Sequence, residues 1–156
     1  MGVESFTRQI EELTADLAGK SLDETLAGHL NNRYPPSGET YRALAAACQA
    51  GIAEGWLCGR EAGGIKYGRV IKPSPATHGF SVDVVDMDEV VGPHHAHPQG
   101  EIDLVMPVDG GALFDGSGAG WVVYPPGSSH RPTVTAGRAI VLYLLPGGSI
   151  DFNAAP

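Results

Sequence analysis

The sequence has only two cysteines in 156 residues, Cys48 and Cys58. Two cysteines cannot form a disulfide framework, and their ten-residue separation is not a zinc-finger spacing. We interpret both as small buried hydrophobic residues on or beside one helix.

Long apolar runs and basic clusters are also missing. The N-terminal stretch MGVESFTRQIEELTADLAG has no basic segment followed by an uninterrupted apolar run, and no segment approaches the length that a bilayer requires. The chain carries 10 basic and 18 acidic residues, a net charge of −8, without a run of Lys or Arg. We therefore expect a cytoplasmic protein with neither a membrane nor a nucleic acid as partner.

The first third of the chain has apolar residues at helical spacing. A chain of this length, with 42% hydrophobic residues, fits one compact unit. Ser21 and Glu24 in SLDE match a capping box at the start of the second helix. The spacing predicts three helices between residues 5 and 57, with these positions buried: Phe6, Ile10, Leu13, Leu17, Leu22, Leu26, Leu30, Tyr41, Leu44, Ala47 and Cys48.

The remainder of the chain has the texture of short strands. After Gly63 and Gly64, runs rich in Val, Ile, Tyr and Phe alternate with Gly and Pro. About eight strands follow, which suits a closed antiparallel sheet or a double-sheet jelly roll. We divide the chain into a helical region, residues 1–62, packed on a barrel formed by residues 63–156.

Histidine is concentrated in GPHHAHPQGE, residues 92–101. Residues two apart on a strand project to the same side, so His95 and His97 can aim at one point. Alternation in the following EIDLVMPV places Glu101 and Asp103 on one face. His94 is out of phase with its neighbours, and we expect it to face solvent or a subunit contact.

A further histidine, His130, follows the tight turn of PPGSSH and opens the next predicted strand. If that strand lies beside the first one, His95, His97, Glu101 and His130 present three nitrogens and one oxygen to a common centre. Such a set suits a divalent transition metal ion (Zn, Fe, Mn, Ni or Co) and leaves a position for water or substrate.

The order of these residues resembles the two signature motifs of the cupin superfamily. Gly92, His95, His97 and Glu101 match the first motif, and Pro125, Gly127 and His130 match the second. The resemblance implies a mainly β fold: a cupin double-stranded β-helix, or jelly-roll barrel, here with an N-terminal helical extension. It also implies one metal held by the four side chains.

A narrower resemblance covers nearly the whole chain. The segments EGWLC, AGGIKYGRV, THGFSVDVVDMD, GPHHAHPQGEIDLVMP, FDGSGAGWVVYPPGSSHRPTV and VLYLLPGG are similar to the 4-hydroxylaminobenzoate lyase family. The resemblance implies conversion of an aryl hydroxylamine to protocatechuate with release of ammonia, a reaction of bacterial nitroaromatic catabolism.

Under this hypothesis Glu101, Asp103 and His130 are the catalytic residues. Asp103 can act as a general acid or base, or can orient a ligating histidine, and the sequence favours neither reading. Without a metal, the same histidines and carboxylates would act as acid–base groups around the ring.

An aromatic acid substrate also needs a cation for its carboxylate. Arg69 is our first candidate, ahead of Lys72 and Arg131, because an arginine fork fixes a carboxylate in orientation. Tyr124 can stack on the ring. His78 follows a proline-rich turn and either shuttles protons at the barrel mouth or is a loop residue without a catalytic role.

Other functions compatible with the sequence are a metal-dependent cupin dioxygenase or isomerase acting on a small aromatic or sugar acid, and a non-catalytic ligand-binding cupin. We expect a homodimer, the commonest assembly of soluble enzymes, which the helical arm could mediate.

Overall fold

The computed structural model describes residues 2–154. Three α-helices come first: α1 Val3–Leu17, α2 Glu24–Arg33 and α3 Glu39–Glu54. Their number and positions confirm the prediction from apolar spacing. The predicted apolar residues are buried, except Leu22, which precedes α2 and is partly buried.

The start of α2 differs from the prediction. Asp23, rather than Ser21, is the N-cap, and its side chain accepts a hydrogen bond from the Leu26 amide at 3.0 Å. The capping box is therefore wrong. The physical reason is position: Asp23 directly precedes the first helical residue and has the extended backbone that an N-cap requires.

Ten strands follow, where about eight were expected. The prediction that strands begin only after Gly63 and Gly64 is wrong, because those glycines form the turn of the β1–β2 hairpin. His130 ends a strand instead of opening one. The strands are β1 Arg60–Ala62, β2 Ile65–Ile71, β3 Phe80–Asp88, β4 His95–His97, β5 Glu101–Pro107, β6 Leu113–Phe114, β7 Gly120–Tyr124, β8 Ser128–His130, β9 Val134–Thr135 and β10 Arg138–Pro146.

Six of these strands form one antiparallel sheet in the order β1-β2-β3-β10-β5-β7. The short pairs β4–β8 and β6–β9 form two further small sheets. Because side chains alternate along a strand, the large sheet has two distinct faces.

The outer face of the large sheet packs against the helices. Apolar side chains of α1, α2 and α3 share one core with the strand residues Val82, Val84, Ile102, Leu104, Met106, Ile140, Leu142 and Leu144. Burial of this surface is the main force that holds the helices on the sheet.

The inner face forms a second, separate core. Val85, Met87, Val105 and Val141 project from the large sheet and meet Phe114 of β6 and Val134 of β9. The small sheets thus close over the inner face and make the barrel. A mainly β barrel with an N-terminal helical extension confirms the predicted fold class.

Cys48 and Cys58 are free thiols. Burial raises the pKa of each to about 12, so both stay protonated at neutral pH and pack as small hydrophobic groups. Among residues 2–154 no helix has the length and apolar character to cross a membrane.

Candidate active site

Strand β4 carries the two histidines of the first motif and pairs antiparallel with β8. His95 lies directly opposite His130, and His97 lies opposite Ser128. Since cross-strand partners project to the same side of a sheet, this register brings the distant His130 to His95.

Gly100 forms the turn that returns the chain from β4 to β5. Its φ is +87°, and its amide donates to the His97 carbonyl at 3.1 Å. A Cβ at this position would lie 2.9 Å from the Tyr124 carbonyl oxygen, so only glycine fits. The turn places Glu101, the first residue of β5, beside His97.

The ligand-type atoms of His95, His97, Glu101 and His130 all lie within 4.8 Å of one another. The His95 and His130 Nε2 atoms are 3.1 Å apart. Glu101 oxygens lie 3.5 to 3.9 Å from the three Nε2 atoms. The structure therefore brings together the four residues expected from the sequence.

These separations fit one central ion. Two atoms bound at about 2.1 Å to the same ion lie about 3.0 to 3.4 Å apart, from octahedral to tetrahedral angles. The shortest separation, 3.1 Å between the His95 and His130 Nε2 atoms, lies in this range. The Glu101 distances of 3.5 to 3.9 Å and the outer bound of 4.8 Å for the whole set exceed it, so the four side chains would close in on a bound ion.

Burial shields most of the cluster from bulk water, and His130 is only partly buried. His97 and Glu101 are 0% exposed and His95 is 2% exposed. The His97 Nε2 and both Glu101 carboxylate oxygens have no hydrogen-bond partner among residues 2–154. Buried polar atoms without partners are costly, and a cation at their centre would satisfy them.

The His97 ring is fixed in one tautomer by Ser128. The Ser128 hydroxyl donates to the Pro125 carbonyl at 2.6 Å, so its oxygen accepts from His97 Nδ1 at 2.9 Å. The proton therefore sits on Nδ1, and the Nε2 lone pair points to the centre. Burial lowers the pKa of His97 to about 4, which keeps the ring neutral, the form that binds metals.

His130 is oriented in the same way by Asp115. The Asp115 carboxylate accepts from His130 Nδ1 at 2.6 Å, from the Tyr124 hydroxyl at 2.5 Å and from the Thr133 amide at 2.9 Å. For His95, the Pro93 carbonyl lies 3.4 Å from Nδ1 and can only accept. All three histidines thus direct an Nε2 lone pair inward.

Asp103 lies next to Glu101 on the inner face and is 0% exposed. Burial and the nearby Glu101 charge raise the pKa of Asp103 well above its usual range. Burial alone would raise the pKa of Glu101, but the attraction of the neighbouring His97 and His95 rings contributes to a net lowering. The opposite directions of the two shifts favour a neutral acid at Asp103 beside a carboxylate at Glu101.

A cavity of about 990 Å³ reaches this cluster through His95. Its size and mixed lining are those of a small-molecule site. Both polar and apolar residues contribute to the wall, among them Trp56, Arg60, Tyr67, Arg69, Asp83, Met87, His95, Tyr143, Ile150 and Phe152.

Arg69 lines the cavity but is already engaged. Its Nε and Nη2 bind the two Asp83 oxygens at 2.8 and 3.2 Å, and Nη2 also donates to the Gly148 carbonyl. Only Nη1 has no protein acceptor within residues 2–154. Arg69 therefore has a single amino group left for a carboxylate, instead of the open fork that the sequence suggested.

Tyr124 lies at the cluster, with ring centroids 4.5 Å from His130 and 5.2 Å from His97. Its hydroxyl is bound by Asp115, so the ring supports the histidines.

His78 is placed elsewhere. It is exposed, its Nδ1 lies 3.1 Å from the Thr14 hydroxyl of α1, and it does not line the cavity within the described chain. Lys72 and Arg131 are exposed and also lie outside the lining. His94 is half-buried outside the cluster, where we expected a solvent-facing or subunit-contact residue.

Sequence reasoning missed Asp115 and Ser128. Asp115 precedes Gly116, a dipeptide typical of turns, but the segment GALFDG that contains it also has the apolar content of a short strand. Strand β6 in fact ends at Phe114, and Asp115 adopts a φ of +48°. Ser128 lies in the quoted PPGSSH, yet nothing local connects it to His97.

The interior of this β-barrel holds three histidines and one glutamate. Two separate pieces of the chain contribute them at the spacing of the two cupin motifs. This combination of fold and site defines a cupin. A family model described as 4-hydroxylaminobenzoate lyase matches residues 8–152. The chain belongs to the 4-hydroxylaminobenzoate lyase family.

Two similar proteins are themselves named 4-hydroxylaminobenzoate lyase. A 4-hydroxylaminobenzoate lyase of Pseudomonas putida is 33% identical over 159 aligned positions, covering 91% of this chain and 90% of the relative. One from Nocardioides sp. (strain LMS-CY) is 34% identical over 150 positions, covering 90% and 89%.

Solved structures of low sequence identity were also found. An RmlC-like cupin protein from Ralstonia eutropha is 15% identical, with a TM-score of 0.42 and coverage of 55% of this chain and 58% of that chain. An RmlC-like cupin from Shewanella frigidimarina is 18% identical, with a TM-score of 0.41 and coverage of 56% and 80%.

The Asp115–His130 hydrogen bond gives a prediction for metal affinity. Asp115→Asn removes the charge that holds His130, and we expect the affinity for a divalent ion such as Zn²⁺ to fall about tenfold or more. Isothermal titration of the chelator-treated protein measures this. Asp88→Asn, at the exposed end of β3, is the matched control, and equal affinities for both variants would contradict the orienting role.

Proposed function

We propose that this protein is a 4-hydroxylaminobenzoate lyase that converts its substrate to protocatechuate and ammonia. The observation that supports the proposal most is the buried cluster of His95, His97, Glu101 and His130 at the end of a cavity of ligand size. Membership of the lyase family gives the substrate class.

We further propose that the four side chains hold one divalent transition metal ion, with Zn, Fe, Mn, Ni and Co as candidates. Three imidazole nitrogens and one carboxylate suit any of these ions. When bound, such an ion supplies Lewis acidity towards the hydroxylamino oxygen or lowers the pKa of a bound water.

The overall reaction balances with water alone. The N–O bond of the hydroxylamine breaks, an oxygen arrives at the neighbouring ring carbon, and the ring imine adds water and expels ammonia. Substrate plus water equals the catechol plus ammonia, so no external oxidant or nicotinamide is consumed.

Asp103 supplies the protons that these steps require. Its raised pKa favours the protonated carboxyl, which can donate to the oxygen that leaves nitrogen. The resulting carboxylate can then accept the proton that the neighbouring ring carbon loses as the ring becomes aromatic again. Glu101 remains ionised beside it, and its charge favours return of the proton to Asp103.

The substrate carboxylate needs a cation at the other end of the cavity. Arg69 offers its Nη1 there, and the ion pair with Asp83 holds the guanidinium in place. We place the carboxylate at Arg69 and the hydroxylamino group at the histidine cluster. A cytoplasmic homodimer remains our proposal for the location and assembly.

The central experiment follows both products of one reaction. Purified protein with a quantified metal content is incubated with 4-hydroxylaminobenzoate, and ammonia and protocatechuate are measured together. We expect equal amounts of the two products without oxygen uptake, and a loss of at least about 100-fold in kcat for Glu101→Gln, because that change removes a charged ligand and the partner of Asp103.

Three outcomes contradict this function. They are no product from the metal-loaded protein, oxygen consumption equal to substrate loss, and an unchanged rate in Glu101→Gln. Oxygen consumption would indicate a dioxygenase instead.

Arg60 provides a matched control for the carboxylate contact. It also lines the cavity, and it has no hydrogen bond or ion pair within the described residues. We expect Arg69→Gln to raise KM about tenfold or more, since a charge-assisted hydrogen bond contributes roughly 1.5 to 3 kcal/mol, whereas Arg60→Gln leaves KM nearly unchanged. Because Arg69→Gln also breaks the ion pair with Asp83, the melting temperature of each variant is measured to detect a loss of stability. A raised KM in Arg60→Gln with an unchanged KM in Arg69→Gln would contradict the proposal and assign the substrate carboxylate to Arg60.

A further inference from the structure

Tyr143 occupies a central position on the inner face of the barrel. In the strand register it pairs with Asp83 of β3 on one side and with Asp103 of β5 on the other. Arg69 pairs in turn with Asp83. These four residues form a polar row across the inner face, with neighbouring strands about 4.8 Å apart.

The Tyr143 side chain is almost completely buried, at 5% exposure. Its hydroxyl has no hydrogen-bond partner among residues 2–154, although the other buried tyrosine, Tyr41, donates to the Val105 carbonyl at 2.9 Å. Buried tyrosine hydroxyls usually find a partner. The Tyr143 hydroxyl oxygen is not fully enclosed by protein atoms and opens into the cavity that the residue lines, so this phenol is available to a molecule that enters the site.

The surroundings of Tyr143 show where a bound molecule would meet its hydroxyl. Tyr143 lines the cavity, and its ring centroid is 6.5 Å from the His95 ring and 6.3 Å from the Phe114 ring. The side chain thus stands where the cavity meets the histidine cluster.

We propose that Tyr143 is a catalytic residue whose hydroxyl donates a hydrogen bond to the hydroxylamino group of the bound substrate. This inference rests on the proposed lyase function and adds a contact that neither the cluster nor Asp103 supplies. A fixed phenol at this point holds the nitrogen and oxygen of the substrate between His95 and Asp103.

The hydroxylamino group is favoured over the substrate carboxylate for two reasons. Tyr143 contacts His95 and is the direct strand neighbour of Asp103, so it belongs to the reactive end of the cavity. Arg69 lies two strands away on the same row and has the positive charge that a carboxylate requires.

Tyr143→Phe removes only the hydroxyl and keeps the packing of the ring. We expect kcat to fall about 10- to 100-fold, as for the loss of one donor to a reacting group, with KM changed by less than about threefold. Metal content should equal that of the wild type. The melting temperature should be nearly unchanged, because the hydroxyl makes no hydrogen bond within residues 2–154 and opens into the cavity.

Tyr41→Phe is the matched control. It removes a buried hydroxyl that has a partner, at a residue that does not line the cavity, so we expect a melting temperature lower by a few degrees and a wild-type kcat. Tyr143→Phe should therefore lower activity without a loss of stability, and Tyr41→Phe should lower stability without a loss of activity.

Several results would overturn the role of Tyr143. If the wild type is active and the Tyr143→Phe variant is equally active, Tyr143 has no catalytic role. A rise in KM with unchanged kcat would assign the hydroxyl to the carboxylate, and a fall in melting temperature or metal content would make it structural. A wild type that releases no ammonia would overturn the proposed function, and this role with it.

Discussion

The site depends on one constraint: three imidazole rings must present unprotonated Nε2 atoms to the same buried point as one carboxylate. Each ring meets this constraint because its Nδ1 proton has an acceptor on the far side, the Ser128 hydroxyl for His97, Asp115 for His130 and the Pro93 carbonyl for His95. Without these acceptors the rings could turn or change tautomer, and lone pairs would no longer converge.

Several features of the barrel bring the three Nε2 atoms and the carboxylate to the same point. The β4–β8 register sets His95 opposite His130, and the Gly100 turn brings Glu101 back beside His97. The helices cover the outer face of the large sheet and leave its inner face for chemistry. The same inner face carries Asp103 and the cavity wall, so the acid and the substrate space come from the strands that hold the cluster.

Some features of the fold and the site can be predicted from the sequence and others cannot, for physical reasons. Period and motif spacing act locally, and they predict the helices, the strand-rich barrel and the four cluster residues correctly. Asp115 and Arg69 show the limit. Whether Asp115 reaches His130, or Asp83 engages the Arg69 fork, depends on strand register and loop path, which contacts across the whole fold determine. Likewise, no sequence pattern shows that the Tyr143 hydroxyl lacks a hydrogen-bond partner, because this depends on which groups the fold places around it.

The most direct measurement of the central claim is the protonation of the histidine rings in the zinc-loaded protein, by ¹H–¹⁵N NMR of histidine-labelled protein. We predict one zinc ion per chain, with His95, His97 and His130 each protonated at Nδ1 and bound to the metal through Nε2. A proton on Nε2 of any of these three rings, or zinc bound without a change in their ¹⁵N shifts, would contradict it.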